Sequence, residues 1–183
     1  PGQVQQGVEA LLAQVNLSMS TYRTDSEIST FNAIDTQTWF SSSAEFFAVL
    51  KAALDVGQKS KGAYDVTVGA LVDLWGFGLN HVETVDSADV DSIMKFVGFR
   101  TENIDFDDVE TRTKYLESHI SKGEGRSQLD FNAIAQGYTV DMLVDLLVDA
   151  GVENAMVELG GEVRCMGLNK NGIAWRIAVD KPI

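Results

Sequence analysis

The sequence contains few of the residues that cross-link small proteins or form metal clusters. It has one cysteine, two prolines and two histidines in 183 residues. The single cysteine, Cys165, excludes an internal disulfide and a cysteine-based metal cluster. His81 and His119 lie far apart and lack the spacing of metal ligands, so we expect both at the surface. No apolar run approaches the roughly 20 residues that a membrane-spanning helix needs.

Basic residues are also scarce. Fourteen Lys and Arg residues stand against 27 Asp and Glu residues, which gives a formal net charge of −13. Nucleic-acid binding depends on clustered positive charge, so we expect no nucleic-acid partner. An anionic small ligand would also be repelled unless a metal ion or a local basic group neutralised it. The first residues lack the basic and apolar regions of a signal peptide.

The remaining composition is that of an ordinary globular protein, with 45% hydrophobic and 22% charged residues. A chain of this length can bury roughly 70% of its unfolded surface. We therefore expect a single domain over residues 1–183. The chain opens inside a predicted helix and stops just after a predicted apolar strand. For that reason we expect a fragment, incomplete at both ends.

Apolar residues at helical spacing predict a series of helices. The first covers residues 3–16, and a short second helix is capped by Asp25 or Ser26 and runs through Phe31. Ser41 to Ser43 precede a third, which ends at Gly62 and buries a stripe formed by Phe46, Phe47, Leu50, Ala53 and Leu54. A later helix begins at Asp86 or Ser87, ends at Gly98 and points four side chains inward: Val90, Ile93, Met94 and Val97.

The segment from Gly62 to Gly78 combines glycines, aromatic residues and a helical core from Val68 to Trp75. Glycine lets a backbone approach a ligand closely, and an aromatic ring offers a flat stacking surface. An aromatic helix packed in the core explains the same pattern. Both interpretations stay open at this point.

Short apolar alternations predict strands in the second half of the chain. The first three form a meander around Ile104 and Phe106, around Tyr115, Leu116 and Ile120, and over Ser127–Phe131. Three further strands are predicted at Ala155–Leu159, Val163–Met166 and Trp175–Val179, with turns at Gly160-Gly161 and Asn169–Gly172. The predicted fold class is α+β, with helices packed on one or two antiparallel sheets.

One stretch, Leu129 to Asp141, combines the end of a predicted strand, a turn and a helix. Asn132 is a suitable N-cap, and Gly151 ends a helix that runs to Ala150. Six residues form its predicted apolar face: Ile134, Tyr138, Met142, Leu143, Leu146 and Leu147. A carboxylate, Asp130, lies at the turn, and a helix N-terminus there suits a phosphate bound with a metal ion. Alternatively, Asp130 is only a capping residue. Glu158, on a largely apolar strand, is a further site candidate because a buried carboxylate needs a partner.

Four separated blocks of sequence resemble one family, the ApbE-like FAD:protein FMN transferases. The blocks are Met19–Arg23 with Asp25–Ser29, Gly62–Gly69 with Leu74–Gly78, Leu129–Tyr138 with Asp141, and Glu158–Arg164 with Trp175-Arg176. They follow in the same order as in the family and span nearly the whole chain. The resemblance implies an ApbE-like, T-fold-related flavin transferase domain.

The resemblance also implies a function. Members of this family are extracytoplasmic bacterial enzymes that use FAD with Mg²⁺. They attach FMN through a phosphoester bond to a Thr or Ser hydroxyl of a target flavoprotein and release AMP. The implied acceptor is a membrane redox subunit of the NqrB, NqrC or RnfG type. The implied location is the periplasm, with a lipid anchor to the inner membrane in the full-length protein.

Site residues follow from the matching positions. The positions that correspond to FAD-binding residues are Tyr22, Ala63, Tyr64, Asp65, Asp130 and Gln136. Tyr22 would contact the flavin, and Ala133 would bind the metal through its backbone carbonyl. Gln136 falls where the family usually has Lys or Glu. The resemblance assigns no general base, and the catalytic residue stays unknown.

Two other functions stay open on the sequence alone. An FAD pyrophosphatase would use the same metal and cleft with water as the acceptor, and would release FMN and AMP. A flavin carrier would hold FAD intact. The family's remaining metal-binding block lies beyond Ile183, so we expect the 183 residues alone to be inactive in FMN transfer.

Overall fold

The computed structural model describes residues 2–34, 39–78, 84–98, 104–107, 118–122 and 126–178. The chain divides into two compact units. One is Gln14–Ala135, and the other combines Pro1–Ala13 with Gln136–Ile183. We call them the central unit and the terminal unit and describe each by itself. The expected single domain over residues 1–183 stays a prediction.

The chain contains runs of helices and pairs of short antiparallel strands, which agrees with the α+β prediction. The helices are α1 (Gly2–Met19), α2 (Glu27–Ala33), α3 (Ala44–Lys59), α4 (Gly69–Leu74), α5 (Ser87–Ile93, followed by a 3-10 turn, Met94–Phe96) and α6 (Ala135–Asp149). The strands are β1 (Trp39–Ser42), β2 (Ile104–Asp107), β3 (Ser118–Lys122), β4 (Ala155–Leu159) and β5 (Glu162–Met166). None of the helices in the described ranges has the length and apolar character needed to cross a bilayer.

Three helices of the central unit begin at caps that the sequence predicted. Ser26 accepts a hydrogen bond from the backbone N–H of Ser29, Ser43 from that of Phe46, and Asp86 from that of Ala88. These side chains satisfy N–H groups that have no partner inside the helix. The predicted stripe of α3 is buried in full.

Two helix ends differ from the prediction. Helix α3 ends at Lys59 rather than at Gly62, because the backbone already turns into the left-handed region at Lys61 (φ 56°) and Gly62 (φ 84°). Met94, predicted to point inward, is 50% exposed. It begins the 3-10 turn after α5, where the angle between successive side chains is wider than in an α-helix.

Strands β1, β3 and β2 form an antiparallel sheet in that order. Ile120 of β3 pairs with Phe40 on one side and with Phe106 on the other. The prediction of β2 and β3 is confirmed, whereas Tyr115 and Leu116 lie outside the described residues. The prediction that Ser127–Phe131 would be the third strand is wrong, since β1 takes that place. The sequence interpretation had used Ser41 and Ser42 only as caps.

Residues 127–131 form an extended segment that makes one isolated parallel bridge, from Gln128 to Val68. The N–H of Gly69 donates to the carbonyl of Gln128 (3.2 Å), and the N–H of Asp130 donates to that of Val66 (2.9 Å). The loop before α4 therefore supplies the hydrogen-bond partners on one side of the extended segment. This loop is too short to pair with the segment as a strand.

The core of the central unit is built around an aromatic cluster of Phe31, Phe40, Phe46 and Phe131. The ring centroids of Phe46 and Phe131 lie 4.9 Å apart, and those of Phe31 and Phe40 lie 5.7 Å apart. Tilted aromatic pairs at such distances contribute roughly 0.5–1.5 kcal/mol each beyond the area that they bury. The cluster joins α2, β1 and α3 to the extended segment.

Lys122, on β3, is fully buried in this core. Its ammonium group donates hydrogen bonds of 2.8 Å to the backbone carbonyls of Asn32 and Ile34, and lies 5.1 Å from the centroid of the Phe31 ring. The last carbonyls of a helix carry partial negative charge and have no partner within the helix. Lys122 therefore caps the C-terminus of α2 from the sheet.

In the terminal unit, α6 begins at Ala135, three residues after the predicted cap at Asn132. Residues 132–134 form a turn in which the N–H groups of Ile134 and Ala135 both donate to the carbonyl of Phe131. The predicted end is confirmed. Gly151 has a φ of +80°, its N–H donates to Val148, and the next N–H, of Val152, donates to Leu147, which is the pattern of a Schellman motif.

The buried face of α6 differs from the prediction. Its buried residues are Thr139, Val140, Leu143 and Val144. The predicted face was Ile134, Tyr138, Met142, Leu143, Leu146 and Leu147, of which only Leu143 is buried and the others are half-buried. Apolar residues occur nearly all around this helix, so spacing alone did not distinguish between two adjacent faces.

Strands β4 and β5 form an antiparallel hairpin across Gly160 and Gly161, in the register Ala155 to Met166. The predicted strand at Trp175–Val179 is wrong for residues 175–178, which form no strand; Val179 lies outside the described residues. The indole N–H of Trp175 donates to the carbonyl of Met166 (3.0 Å), which holds the segment to the end of β5 by a side chain rather than by a strand ladder.

We predict that Lys122→Met lowers the free energy of unfolding by about 2–4 kcal/mol, because two helix-terminal carbonyls lose a buried donor. Chemical denaturation followed by circular dichroism measures the change. Lys59→Met is the matched control, since Lys59 is 75% exposed in an ion pair with Asp55 and its loss leaves stability nearly unchanged. Equal effects of the two variants would contradict a capping role for Lys122.

Candidate functional site

The predicted site residues fall in three loops of the central unit and in the first turn of α6. Tyr22 lies in the loop between α1 and α2 and is 62% exposed. The loop between α3 and α4 carries Ala63, Tyr64 and Asp65. Asp130 ends the extended segment, and Ala133 lies exposed in the turn that follows it. Gln136, at the start of α6, belongs to the terminal unit.

A cleft of about 230 Å³ opens in the central unit between α2, α4 and the extended segment. Its lining residues are Thr21, Ser29, Asn32, Ala33, Gly69, Val72, Asp73, Gly78, Gln128, Leu129 and Asp130. Asp130 is the only predicted site residue among them, although Thr21 directly precedes Tyr22. Polar and small residues predominate, so the cleft suits a ligand with many hydrogen-bonding groups.

A second cleft of about 690 Å³ lies in the same unit, beside the C-terminal end of α3. Tyr64 and Asp65 line it, together with Lys61, Gly62 and Gly98. The two clefts lie close together, because the N–H of Asp130, which lines the first, donates to the carbonyl of Val66, which lines the second (2.9 Å). The structure therefore brings Tyr64, Asp65 and Asp130 into one neighbourhood.

Asp130 is 8% exposed and is fixed by its own turn. Its carboxylate accepts hydrogen bonds from the backbone N–H of Asn132 (2.7 Å) and from the side-chain amide of the same residue (3.1 Å). Asn132 thus orients the carboxylate instead of capping α6. The capping interpretation of Asp130 is correct in part, since an Asx turn of this type leads the chain into the helix.

Asp65 and Thr67 stabilise the other loop. Asp65 accepts hydrogen bonds from the N–H of Thr67 (2.8 Å) and from its hydroxyl (2.6 Å). The Thr67 oxygen in turn accepts from the N–H of Gly98 (2.8 Å). These bonds connect the loop before α4 to the end of the 3-10 turn, so they hold Tyr64 in a defined position.

Tyr64 has a buried hydroxyl for which the described residues offer no hydrogen-bond partner. Burial raises the pKa of this phenol above its usual value, and the charges of Asp130 and Asp65 raise it further. A buried polar group without a partner costs free energy. Such groups in native proteins commonly have a functional explanation, and a ligand is one of them.

Asp73, on α4, is a cleft residue that the sequence did not single out. Although part of the residue is exposed, partial burial of its carboxyl raises the pKa, and the nearby charge of Asp130 adds to the effect. The two carboxyl groups line one cleft, and the described residues that line it include no basic side chain. Among these residues the charge of the lining is therefore negative. Gly69, beside it, has no room for a side chain, because a Cβ would lie 2.9 Å from the carbonyl oxygen of Leu129.

Asn32 is the other lining residue that sequence reasoning missed. It occupies the last turn of α2 and bonds to the backbone of Leu129. No local motif marks an asparagine in this position. Asp73, by contrast, lies inside the Gly62–Gly78 segment, whose glycines and aromatic residues did indicate a candidate ligand site.

In the terminal unit, Gln136 lies against the hairpin turn. A Cβ on Gly160 would be 2.5 Å from its side-chain amide nitrogen, and the φ of +61° at Gly160 is one that favours glycine. Glu158 is exposed rather than buried, and its carboxylate accepts from the N–H of Gly161 (2.8 Å). It stabilises the turn, which corrects the expectation of a buried carboxylate in search of a partner.

A metal site is not built by side chains in the described part of the chain. No group of three or more His, Cys, Asp or Glu residues in those ranges could hold a metal ion. The assignment of Ala133 as a metal ligand through its carbonyl, and those of the FAD-binding residues, stay predictions.

We predict that Tyr64→Phe leaves the free energy of unfolding unchanged or slightly higher, because no hydrogen bond is lost. Thr67→Val, in the same loop, is the control that also removes one hydroxyl. It should destabilise by about 1–3 kcal/mol, since two hydrogen bonds are lost at a buried position. Urea denaturation compares the two. A clear loss of stability in Tyr64→Phe would show that the hydroxyl has a partner.

A second prediction concerns the pH dependence of stability. The pKa of Asp73 is raised on folding, so the folded state favours its protonated form. This contribution to stability is complete below the unfolded pKa, about 3.9, and is lost as the pH rises through the folded pKa. Asp73→Asn should therefore be more stable than the wild type at pH 7, and the difference should vanish as the pH falls below about 4.

Thermal unfolding between pH 3 and pH 8 measures that difference. Asp91→Asn is the control, because it removes the same charge from an exposed position of α5. If Asp91→Asn gave the same pH-dependent gain, the effect would come from net charge and not from the cleft.

The chain has the sequence and fold of a known family. The family model described as "ApbE family" matches residues 2–183. A FAD:protein FMN transferase of Vibrio cholerae serotype O1 is 39% identical over 179 residues, which cover 98% of this chain and 51% of the relative. One from Haemophilus influenzae is 36% identical over 176 residues, with 96% and 49% covered. The chain thus spans about half the length of the curated relatives that it matches.

Solved structures agree with these matches. The flavin transferase ApbE from Vibrio cholerae superimposes with a TM-score of 0.87 at 37% identity, over 99% of this chain and 56% of that one. The Pseudomonas stutzeri flavinyl transferase ApbE, in its apo form, gives 0.85 at 32%, over 97% and 53%. The resemblance seen in the four sequence blocks and the predicted α+β fold are both confirmed: this chain belongs to the ApbE family.

Proposed function

We propose that the protein transfers FMN from FAD to a Thr or Ser hydroxyl of a target flavoprotein and releases AMP. The observation that carries the proposal is the cleft that presents Asp130 on a fixed turn, in a chain of the ApbE family. The relatives named above are FAD:protein FMN transferases. The matched half of those proteins includes this cleft.

The chemistry of the central unit suits a dinucleotide. FAD has two ring systems joined by a pyrophosphate, and the unit offers two clefts near each other with polar walls. An exposed aromatic ring, Tyr22, lies beside the first cleft through its neighbour Thr21 and is available for stacking on a flat ligand. The Tyr64 hydroxyl is available as a hydrogen-bond donor.

Charge is the constraint on how FAD binds. The clefts contain the carboxyl groups of Asp65, Asp73 and Asp130, which repel a pyrophosphate. Mg²⁺, when bound, neutralises phosphate charge and prefers oxygen ligands such as a carboxylate and a backbone carbonyl. Asp130 and Ala133 offer those two donors within one turn, so they fit part of a magnesium site. We propose that phosphate oxygens of FAD supply further ligands.

The reaction transfers a phosphoryl-linked group from one oxygen to another. The acceptor hydroxyl oxygen attacks the phosphorus on the FMN side of the pyrophosphate, the bond from that phosphorus to the AMP oxygen breaks, and AMP leaves. The hydroxyl proton passes to a base for which this chain gives no assignment. Residues of the central unit act here by binding and orienting FAD, which is the main protein contribution in such reactions.

The acceptor and the location are proposed on the family resemblance alone. We propose a membrane redox subunit as acceptor, in the periplasm, with a lipid anchor on the full-length protein. Gln136 is neutral where the family usually has a charged residue, and it lies beside the hairpin turn at Gly160. We propose that it contacts FAD through its amide.

Intact-mass spectrometry tests the transfer. The full-length protein is incubated with FAD, Mg²⁺ and a domain that carries an acceptor threonine. We predict that the acceptor gains the mass of one FMN residue, that the gain disappears when Mg²⁺ is chelated, and that it is slower, though still measurable, when Asp130 is replaced by Ala. Asp55→Ala is the matched control, because it removes a carboxylate from an exposed position of α3 outside both clefts.

The same incubation separates the two alternative functions. An unmodified acceptor with free FMN and AMP in solution would identify an FAD pyrophosphatase. An unmodified acceptor with intact, bound FAD would indicate a carrier. Full transfer by Asp130→Ala would show that the cleft around Asp130 is not the FAD site.

A further inference from the structure

Asn32 makes a pair of hydrogen bonds to a peptide group 97 residues away in sequence. Its side-chain oxygen accepts from the N–H of Leu129 at 2.8 Å, and its side-chain nitrogen donates to the carbonyl of the same residue at 2.9 Å. Leu129 is fully buried, so both backbone groups would otherwise lack partners away from water.

The two hydrogen bonds from Asn32 take the place of those that a neighbouring strand would make to Leu129. In an extended segment, the peptide groups of successive residues point to opposite sides. Gln128 and Asp130 bond to the loop before α4, so Leu129 faces the other way, towards α2. Both backbone groups of Leu129 bond to the side chain of Asn32 on α2. The side-chain amide of Asn32 contains both a donor group and an acceptor oxygen, so it supplies what a neighbouring strand would.

Asn32 is itself held in place from the sheet. Its backbone carbonyl accepts a hydrogen bond of 2.8 Å from the buried ammonium of Lys122. The position of Leu129 is thus tied to α2, and through Lys122 to β3. The residue after Leu129 is Asp130, whose backbone N–H bonds to Val66 (2.9 Å) and whose carboxylate lines the cleft.

We propose that Asn32 is a positioning residue for FAD binding: by fixing both backbone groups of Leu129, it sets where the carboxylate of Asp130 stands in the cleft. This proposal rests on the proposed function, in which Asp130 contacts FAD. Leucine at position 32 keeps the volume and loses both bonds. A displaced carboxylate weakens binding of FAD before and during the reaction alike, so it raises KM and leaves kcat nearly unchanged.

The test is a double-mutant cycle in the full-length protein. Asn32→Leu should raise the KM for FAD roughly tenfold, the loss of about one ligand hydrogen bond, with kcat within about threefold of wild type. Asp130→Ala should also raise KM. If Asn32 acts through Asp130, the double variant should be no worse than Asp130→Ala alone.

Ser43→Ala is the control for a general loss of stability in α2 and α3. It removes the N-cap of α3 and the hydrogen bond from the Ser43 hydroxyl to Glu27 at the start of α2, but leaves both bonds of Asn32 to Leu129 in place. Its thermal midpoint should fall while the KM for FAD stays at the wild-type value. If Asn32→Leu does not fold, Asn32→Ser, which keeps one short polar group, takes its place in the cycle. Binding of FAD by flavin fluorescence gives a second readout that does not depend on turnover.

Three outcomes decide between the explanations. A wild-type KM in Asn32→Leu, or additive effects in the double variant, would overturn the positioning role while the transferase proposal stands. An unchanged KM in Asp130→Ala would instead refute the assignment of FAD to this cleft. A rise in KM for Ser43→Ala of the same size as for Asn32→Leu would show that only stability is involved.

Discussion

The pair of hydrogen bonds between Asn32 and Leu129 connects the parts of the central unit that form the cleft. On one side stands α2, whose C-terminus is capped by the buried Lys122. On the other stands the extended segment that carries Asp130 and crosses the loop before α4. Without these two bonds, the N–H and carbonyl of the buried Leu129 would lack partners, and the aromatic cluster would be left to hold the segment against α2.

A second constraint is the negative charge of the cleft. A carboxylate in water costs the fold little free energy, but Asp73 and Asp130 line the same cleft. Partial burial, and then the charge of Asp130, raise the pKa of Asp73. Such a site favours cations and neutral polar groups over free anions. The overall charge of −13 has the same sign. Under the proposed function, an anionic dinucleotide would need a cation at this position, and the oxygen donors of Asp130 and Ala133 are of the kind that Mg²⁺ takes.

Much of the helical part of the fold follows from the sequence, because caps and stops are local. Ser26, Ser43, Asp86 and Gly151 act as predicted, since the bond by which each caps or ends its helix joins residues a few positions apart. The errors concern partners distant in sequence. Strand β1 was missed and residues 127–131 were assigned to a sheet, since apolar alternation shows which residues are extended but not what they pair with.

The candidate site shows the same limit. Sequence blocks indicated Tyr64, Asp65 and Asp130, and the structure brings these three together. Asn32 could not be identified from the sequence, because it bonds to a residue 97 positions away and belongs to no local motif. Asp73 lies in the Gly62–Gly78 segment, which the sequence had already indicated as a candidate ligand site. Its pKa is raised by burial and by the charge of Asp130, and both depend on the fold rather than on nearby sequence.

Several features of the central unit cost stability, and they all lie around the two clefts. The Tyr64 hydroxyl is buried without a partner among the described residues, and Asp73 is held where its ionised form is disfavoured. The well-satisfied groups lie behind the clefts: Lys122 bonds two carbonyls, and Thr67 joins two loops. The satisfied polar groups form a stable framework, and the groups that cost stability line the clefts. This arrangement is expected of a binding site, since a ligand supplies the missing partners.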